Sequence, residues 1–159
     1  MGELQDTVIL RWAREEDWSA TMKMIWKTFL KFEGKEYTGE GIRSFFDFIT
    51  DDRLFQMFRK GTYQVMIAEN CGQIVGAASL RGKNLLSLLF VKEEYHRRGI
   101  GSSLIHALCE YLQNEMGEHS MTVQSSPYAV NFYRKLGFVP TGEEEDYSGI
   151  RVTPMEMIF

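Results

Sequence analysis

Residues 84–101 read NLLSLLFVKEEYHRRGIG: an apolar run, a short charged stretch, and then a basic, glycine-rich turn. Apolar residues recur behind the turn at positions 100, 104, 105, 108 and 112, and this spacing predicts an amphipathic helix. The first turn of a helix has free backbone N–H groups, and the helix dipole favours negative charge there. The stretch therefore predicts a strand, a turn and a helix with a binding site for a phosphorylated ligand where they join.

The turn itself has the residue types that such a ligand needs. Gly99 and Gly101 have no Cβ, so a diphosphate could approach the backbone closely. Arg97 and Arg98 add positive charge at the same place. The spacing fits neither the P-loop nor the dinucleotide fingerprint, because the chain has no Gly-Lys-Ser or Gly-Lys-Thr and has a leucine where the third fingerprint glycine would stand.

The turn, HRRGIG at residues 96–101, resembles the pyrophosphate loop of the GCN5-related N-acetyltransferases. That loop is written Gln or Arg, two residues, Gly, any residue, Gly or Ala, and His96 takes its first position here. A second stretch, SPYAVNFYRKLGF at residues 126–138, resembles a helix of the same family: Asn or Ser, two residues, Ala, an aromatic pair that ends in Tyr, and Gly-Phe. The two motifs stand in the family's order. The resemblance covers about residues 62–158, and the phrases SLLFV, SSPYAV and GIRVTPM look like a bacterial branch.

Each motif also has an ordinary structural explanation. Ser126, Pro127 and Gly137 are good residues for the start and end of a helix whatever the function. The aromatic residues between them could be a core stripe. Two motifs in one family's order make coincidence a poor explanation.

The composition predicts one folded domain over residues 1–159. Hydrophobic residues make up 44% and aromatic residues 13% of the chain, which excludes a disordered polypeptide. Eighteen basic and 22 acidic residues give a net charge of −4, and this argues against nucleic acid as the main partner, which would need a basic face.

No metal site and no membrane span are expected. The two cysteines and three histidines are scattered without ligand spacing, and no apolar stretch reaches membrane-spanning length. The N-terminal residues MGELQDTVIL lack the basic start and long apolar run of a signal peptide, so the expected compartment is the cytoplasm. The sequence leaves open whether the chain forms a homodimer.

The periodicity along the chain predicts an α/β architecture, a central mixed sheet flanked by helices on both faces. The strand–helix–strand unit at residues 84–125 predicts two parallel strands joined by a right-handed crossover. The resemblance implies the GNAT-like acyl-CoA N-acyltransferase fold, in which these two strands splay apart where the cofactor enters. The remaining predicted elements are a strand at 7–12, helices from 15 to 30 and from 42 to 49, a short helix ending near 61, a hairpin at 62–80, a loop at 33–41, a helix at 99–116, a ten-residue helix in the second motif and a closing hairpin at 138–158.

The resemblance implies a transferase that moves an acetyl group from acetyl-CoA directly to the primary amine of a small molecule, amino acid or peptide. It makes Tyr133 the general acid, because a phenol is a plausible proton donor to a leaving thiolate. Backbone N–H groups around Leu88 to Phe90 are the expected oxyanion donors. The expected cofactor-binding residues are Leu89, Phe90, Val91, Arg97, Arg98, Gly99, Ile100, Gly101, Ser102, Ser126 and Asn131.

The general base and the acceptor are left open by the sequence. Family members often have a Glu on the strand before the loop, whereas this strand has only Asn84 and Ser87 as polar side chains. A base could act through water from the loop at 33–41, or be absent if the amine arrives deprotonated. That loop and GEEEDYSGIRVTP at 142–154 are acidic and would attract an ammonium group. The candidate base or substrate residues are Glu33, Glu36, Tyr37 and, for a substrate carboxylate, Arg151.

Two other functions compete with the transferase. A non-catalytic module that binds or senses acyl-CoA would explain the missing strand carboxylate, although it would not need Tyr133. A binding domain for an unrelated phosphate ligand would need only the loop at 96–101 and would leave the second motif unexplained.

Overall fold

The computed structural model describes residues 7–159, and in this part of the chain it contains eight strands and five α-helices. The strands are β1 (Val8–Trp12), β2 (Tyr63–Asn70), β3 (Gln73–Arg81), β4 (Leu85–Val91), β5 (Ser120–Ser125), β6 (Val139–Pro140), β7 (Glu145–Tyr147) and β8 (Ile150–Ile158). The helices are α1 (Trp18–Phe32), α2 (Gly39–Ile49), α3 (Asp52–Lys60), α4 (Ile100–Asn114) and α5 (Val130–Leu136). The expectation about a targeting signal falls partly on residues 1–6, which lie outside the described residues. Within residues 7–159, none of the helices combines the length and the apolar character needed to cross a membrane.

The strands form one mixed sheet in the order β1-β2-β3-β4-β5-β8-β6, and β7 pairs with β8 beside this path. β4 and β5 are parallel and are connected through α4, as the crossover pattern predicts. The other recorded neighbours pair antiparallel. The predicted fold class, a mixed sheet flanked by helices, is therefore confirmed.

Each face of the sheet has its own hydrophobic core. The five apolar positions predicted for α4 are all buried and pack on one face together with Tyr133 and Phe138. Ile25 and Phe29 of α1 pack on the other face with α2 and α3, against Leu88 and Phe90 of β4. Because successive residues of a strand point to opposite faces, β4 contributes side chains to both cores.

β4 and β5 pair over only two positions before they diverge. Leu85 is opposite Thr122 and Leu86 is opposite Val123, whereas β4 continues to Val91. The register between β3 and β4 also shifts between Ser79 and Leu80, where β4 has one extra residue. A bulge of this kind bends a strand and re-aims its side chains, often beside a functional site. The predicted splay is present, and it leaves one side of the second half of β4 facing a gap.

Three predicted boundaries were wrong for local reasons. The predicted loop at 33–41 ends early, because the Thr38 side chain accepts a hydrogen bond from Gly41 N at 3.1 Å and starts α2 at Gly39. The predicted ten-residue helix is a 3₁₀ turn at Pro127–Ala129 followed by the seven residues of α5. The predicted closing hairpin is reduced to the short strands β6 and β7, which both pair with β8.

The turn between β7 and β8 rests on the first turn of α2. A Cβ added to Gly41 would lie 2.2 Å from the carbonyl oxygen of Gly149, so only glycine allows this approach. Ser44 Oγ also donates to the carbonyl of Ser148 at 3.4 Å. These contacts hold the first turns of α2 against the β7–β8 turn.

Gly41→Val should lower the free energy of unfolding by about 1–3 kcal/mol, because a side chain there must push the backbone of the β7–β8 turn away. Gly39→Val is the matched control, since a Cβ at Gly39, two residues earlier in the same helical turn, meets nothing within 4 Å. Urea unfolding of both variants measures the difference. Equal stability of the two would show that the turn does not pack on α2 as described.

Candidate functional site

The gap between β4 and β5 opens into a cleft of about 1180 Å³. Its lining comes from both sides of the sheet: β4, the turn before α4, the start of the second motif, and the end of α1 with α2. A volume near 1000 Å³ is at the upper end of the range for small-molecule and cofactor sites. The cleft is therefore large enough for an extended ligand and a second, smaller one.

The start of α4 forms one end of this cleft. Gly99 precedes the helix with a φ of 79°, and Arg97 has a φ of 64°, so the turn passes twice through the left-handed region. His96 Nε2 lies 2.6 Å from the carbonyl oxygen of Val91, which ties the turn to the end of β4. A Cβ at Gly101 would lie 3.3 Å from Cζ of Phe132. The turn is thus held close to α5, with a helix N-terminus at the cleft.

Most of the predicted cofactor-binding residues meet at this cleft, and two do not. Those in the lining are Leu89, Phe90, Val91, Arg97, Gly99, Ile100, Gly101, Ser102 and Ser126. Arg98 lies outside the lining, with its guanidinium carbon 5.0 Å from the centre of the Tyr95 ring. Asn131 is exposed on α5 and also lies outside the lining.

Tyr133 lies on the cleft wall and is only 5% exposed. Its ring packs edge-on against Phe132 and Phe138, with centroid distances of 5.3 Å and 5.2 Å. Burial, and then the negative charge of Glu33, raise the pKa of the Tyr133 hydroxyl above its usual value. The phenol therefore keeps its proton at neutral pH.

Glu33 follows the last residue of α1 and lines the same cleft. Burial raises the pKa of its carboxyl to about 7, and the charge of Glu36 acts in the same direction, whereas a hydrogen bond with the Ser126 side chain opposes the rise. Glu33 and Tyr133 come from opposite ends of the sequence and are close enough for their charges to interact. The cleft thus contains a carboxylate that titrates near neutrality beside a phenol that does not.

The other predicted acceptor residues divide into two groups. Tyr37 lines the cleft, and burial raises the pKa of its hydroxyl, as do the charges of Glu33 and Glu36. Glu36 lies outside the lining, and its buried Oε1 has no hydrogen-bond partner in the part of the chain that the structure describes. Arg151 also lies outside the lining, with Nη1 3.5 Å from Glu144 and Nη2 3.5 Å from the carbonyl of Glu36.

The acidic stretch at 143–146 does not reach the cleft lining either. Besides the pairing of Glu144 with Arg151, Glu145 accepts a hydrogen bond from the Tyr147 hydroxyl, and Asp146 accepts one from Gly149 N at 2.8 Å. These acids stabilise the β7–β8 hairpin itself. Of the acidic residues that the sequence suggested for binding the acceptor, only Glu33 lines the cleft.

Sequence analysis missed an aromatic wall on the α1–α2 side. Phe29 and Phe45 stack with centroids 4.0 Å apart, and Phe45 lies 5.8 Å from Phe90 of β4. At the far end of α2, the guanidinium carbon of Arg81 lies 5.6 Å from the centre of the Phe48 ring, and both residues line the cleft. Helical spacing alone marks such phenylalanines as core residues, so their second role had no signal in the sequence.

Two further cleft residues were missed near α4. The ring of Phe32, at the end of α1, lies 4.9 Å from His96 and 5.8 Å from Tyr128, and so it bridges the two sides of the cleft. Lys135 adds a positive charge to the lining. Among residues 7–159 there is no group of three or more His, Cys, Asp or Glu side chains that could hold a metal ion.

Comparison with known proteins places these observations in a family. The sequence model of a family described as the acetyltransferase (GNAT) domain matches residues 33–159. No curated protein sequence matches the chain.

Solved structures cover nearly the whole chain. A GCN5-related N-acetyltransferase from Rhodopseudomonas palustris, also described as a class-II aminotransferase, is 25% identical with a TM-score of 0.83, over 99% of this chain and 100% of that one. PaiA N-acetyltransferase from Thermoplasma acidophilum, solved in complex with coenzyme A, is 18% identical with a TM-score of 0.80, over 96% and 99%. A mutant of spermidine N-acetyltransferase SpeG from Vibrio cholerae is 17% identical with a TM-score of 0.65, over 95% and 93%.

Gly101→Val should raise the Kd for acetyl-CoA at least tenfold, because the new side chain fills the space between the start of α4 and Phe132. A tenfold change corresponds to about 1.4 kcal/mol of binding free energy. Isothermal titration calorimetry measures the affinity, and thermal melting checks that the variant is folded. Gly39→Val, which is remote from α4 in sequence and meets nothing within 4 Å, is the control. An unchanged Kd in folded Gly101→Val would remove this turn from the binding site.

Proposed function

The chain belongs to the GNAT acetyltransferase family and is an N-acetyltransferase, and we propose that it moves an acetyl group from acetyl-CoA directly to the primary amine of a small molecule. In this proposal Tyr133 is the general acid and Glu33 is the general base. Residues 1–159 act as one catalytic domain. The carrying observation is that Glu33 and Tyr133 share one cleft, where burial raises the pKa of the Glu33 carboxyl to about 7 and leaves the Tyr133 hydroxyl protonated at neutral pH.

The shape of the cleft supports acetyl-CoA as the acyl donor. The gap lies beside the second half of β4, where the backbone groups of Leu89 and the N–H of Val91 are the candidates to pair with the amide groups of pantetheine, since the Val91 carbonyl already contacts His96. Gly99, Ile100, Gly101 and Ser102 form a helix start that suits a diphosphate. Acetyl-CoA would supply an acetyl thioester, an activated acyl group that an amine can attack.

Glu33 is the general base in this proposal, since β4 has no carboxylate for that role. A base works best when its pKa lies near the operating pH, and the Glu33 carboxyl meets this condition. It accepts a proton from the ammonium or amine of the acceptor, directly or through water. The buried, unpartnered Oε1 of Glu36 nearby favours a cation at this end of the cleft.

Tyr133 holds the proton that the departing thiolate needs. Its raised pKa keeps the hydroxyl protonated throughout the neutral range. Backbone N–H groups from Leu88 to Phe90, next to the bulge in β4, are the candidate donors to the thioester oxygen. β4 has no carboxylate, the observation that favoured the non-catalytic alternative, and in this proposal Glu33 takes that role instead.

The function is tested by incubating the purified chain with acetyl-CoA and a panel of primary amines. Release of free thiol is followed by absorbance after reaction with a chromogenic disulfide, and the acetylated amine is identified by mass spectrometry. Amine-dependent thiol release with a mass gain of one acetyl group is expected. Tight acetyl-CoA binding without transfer to any amine would instead support the non-catalytic module.

Tyr133→Phe should fold and bind acetyl-CoA with unchanged affinity, while kcat falls about 10²–10⁴-fold because the proton donor is lost. The substitution removes only the hydroxyl group and keeps the ring that packs edge-on against Phe132 and Phe138. Steady-state kinetics with any accepted amine measures the effect. The same kcat in both proteins would exclude Tyr133 from proton transfer.

Glu33→Gln should remove a pH dependence from kcat/KM. In the wild type, the base is active as the carboxylate, so kcat/KM should rise as pH increases through the Glu33 pKa of about 7 and then level off. Glutamine cannot titrate, so the rise of kcat/KM with pH should disappear while the affinity for acetyl-CoA is unchanged.

Glu40→Gln is the control for this pH profile, because Glu40 is an exposed acid in the first turn of α2, outside the cleft lining. Its profile should match the wild type. A limb near pH 7 that persists in Glu33→Gln would mean that another group, or the amine itself, sets the pH dependence.

A further inference from the structure

The acceptor half of the cleft is the part lined by Glu33, Tyr37, Phe45, Phe48 and Arg81, on the α1–α2 side of the sheet. We use "acceptor half" for these five residues. None of them belongs to the turn before α4 or to α4 itself, where the diphosphate of the donor lies in the proposed function. Their chemistry therefore indicates which amines the protein accepts.

The middle of the acceptor half is apolar and rigid. The Phe45 ring is stacked on Phe29 with a centroid distance of 4.0 Å and an interplanar angle of 11°. Phe29 is 1% exposed and also stacks with Tyr37 at 5.4 Å. Because each ring is held by another ring, the wall offers a preformed apolar surface to the body of a substrate. An amine with an aromatic or aliphatic body gains from burial here, and a strongly hydrated chain does not.

The two ends of the acceptor half carry opposite charges. Glu33 stands before α2, with Glu36 and Arg151 beside it but outside the lining, whereas Phe48 and Arg81 meet at the other end of α2. The eleven residues of α2 span roughly 16 Å, which sets the scale of this separation. Acids at one end and a guanidinium at the other suit a ligand that has its cation at one end only.

One acid near Arg81 needs to be accounted for. Asp51 is close enough for Arg81 to lower the pKa of its carboxyl, although the larger causes are hydrogen bonds from Arg53. Asp51 accepts from Arg53 N at 2.9 Å and from Arg53 Nη2 at 3.3 Å, so it already has a cationic partner. Asp51 also lies outside the cleft lining. The charge presented to the cleft at this end is therefore that of Arg81.

We propose that the acceptor is a monoamine with an aromatic or aliphatic body whose far end is neutral or anionic, and that Arg81 is the residue that discriminates against polyamines. This inference rests on the proposed function. The ammonium is held by the acids beside α1, and the body lies along the phenylalanine wall. The far end meets Arg81, which attracts a carboxylate and repels a second ammonium.

Three matched amines test the inference: phenethylamine, its para-carboxylate and its para-aminomethyl derivative. They share the aminoethyl group and the aromatic ring and differ in the substituent at the far end; because the aminomethyl compound has two primary amines, mass spectrometry of its product identifies which one is acetylated, and its kcat/KM is taken for the aminoethyl group. In the wild type, kcat/KM should be highest for the carboxylate and at least tenfold lower for the aminomethyl compound. Spermidine should also be a poorer acceptor than phenethylamine.

Arg81→Glu should reverse this order, raising kcat/KM for the aminomethyl compound and lowering it for the carboxylate. Arg43→Glu makes the same change of net charge on an exposed residue of α2 outside the cleft lining, and it should keep the wild-type order. Thermal melting checks that both variants are folded. Comparing the two variants separates the effect of a charge inside the cleft from the effect of the protein's net charge.

The outcomes distinguish the two proposals. Acetyl transfer to some amine, but with spermidine or the aminomethyl compound preferred by the wild type, would overturn the acceptor class and leave the transferase proposal intact. An order that Arg81→Glu leaves unchanged would remove Arg81 as the discriminating residue. Acetyl-CoA binding with no thiol release for any amine would overturn the proposed function itself, and the acceptor class with it.

Discussion

The parting of two parallel strands is the constraint on which the rest of the structure depends. β4 and β5 share only the pairs at Leu85 and Leu86, and the remaining polar backbone of β4 then faces a gap. Buried backbone groups need partners, so a gap of this kind is stable only if water or a ligand occupies it. The same divergence brings the start of α4, the second motif and the end of α1 to one cleft. The sheet therefore determines both where a donor can lie and which side chains meet it.

In the proposed mechanism, proton transfer depends on two side chains whose pKa values are both raised by burial, from different starting points. Burial raises the pKa of both Glu33 and Tyr133, but only the carboxyl moves into the neutral range, to about 7. Glu33 directly follows α1, whereas Tyr133 belongs to α5, so only the folded chain brings the two side chains to one cleft.

The sequence predicted the parts of the site that are encoded by short, local patterns. Gly99 and Gly101 are predictable because their spacing follows a strand and precedes a helical stripe, and the fold follows from the strand–helix–strand unit. The sequence could not distinguish Glu33 among three loop candidates, because its burial and its hydrogen bond with Ser126 arise only in the folded chain. Arg151 was a plausible substrate ligand by composition, yet it pairs with Glu144 outside the cleft. Phe45 and Phe48 carry no signal of a cleft wall in the sequence, because periodicity does not distinguish a core residue from one that lines a cleft.

A crystal structure with coenzyme A bound is the most direct test of the central claim that this one cleft holds the donor between Tyr133 and Glu33. The pyrophosphate is expected on the backbone N–H groups of Ile100 to Ser102, with the pantetheine amides paired to the free side of β4. The sulfur should lie within hydrogen-bond reach of the Tyr133 hydroxyl, with Glu33 on the opposite side of it. Coenzyme A bound outside the β4–β5 gap, or with its sulfur remote from Tyr133, would contradict this account.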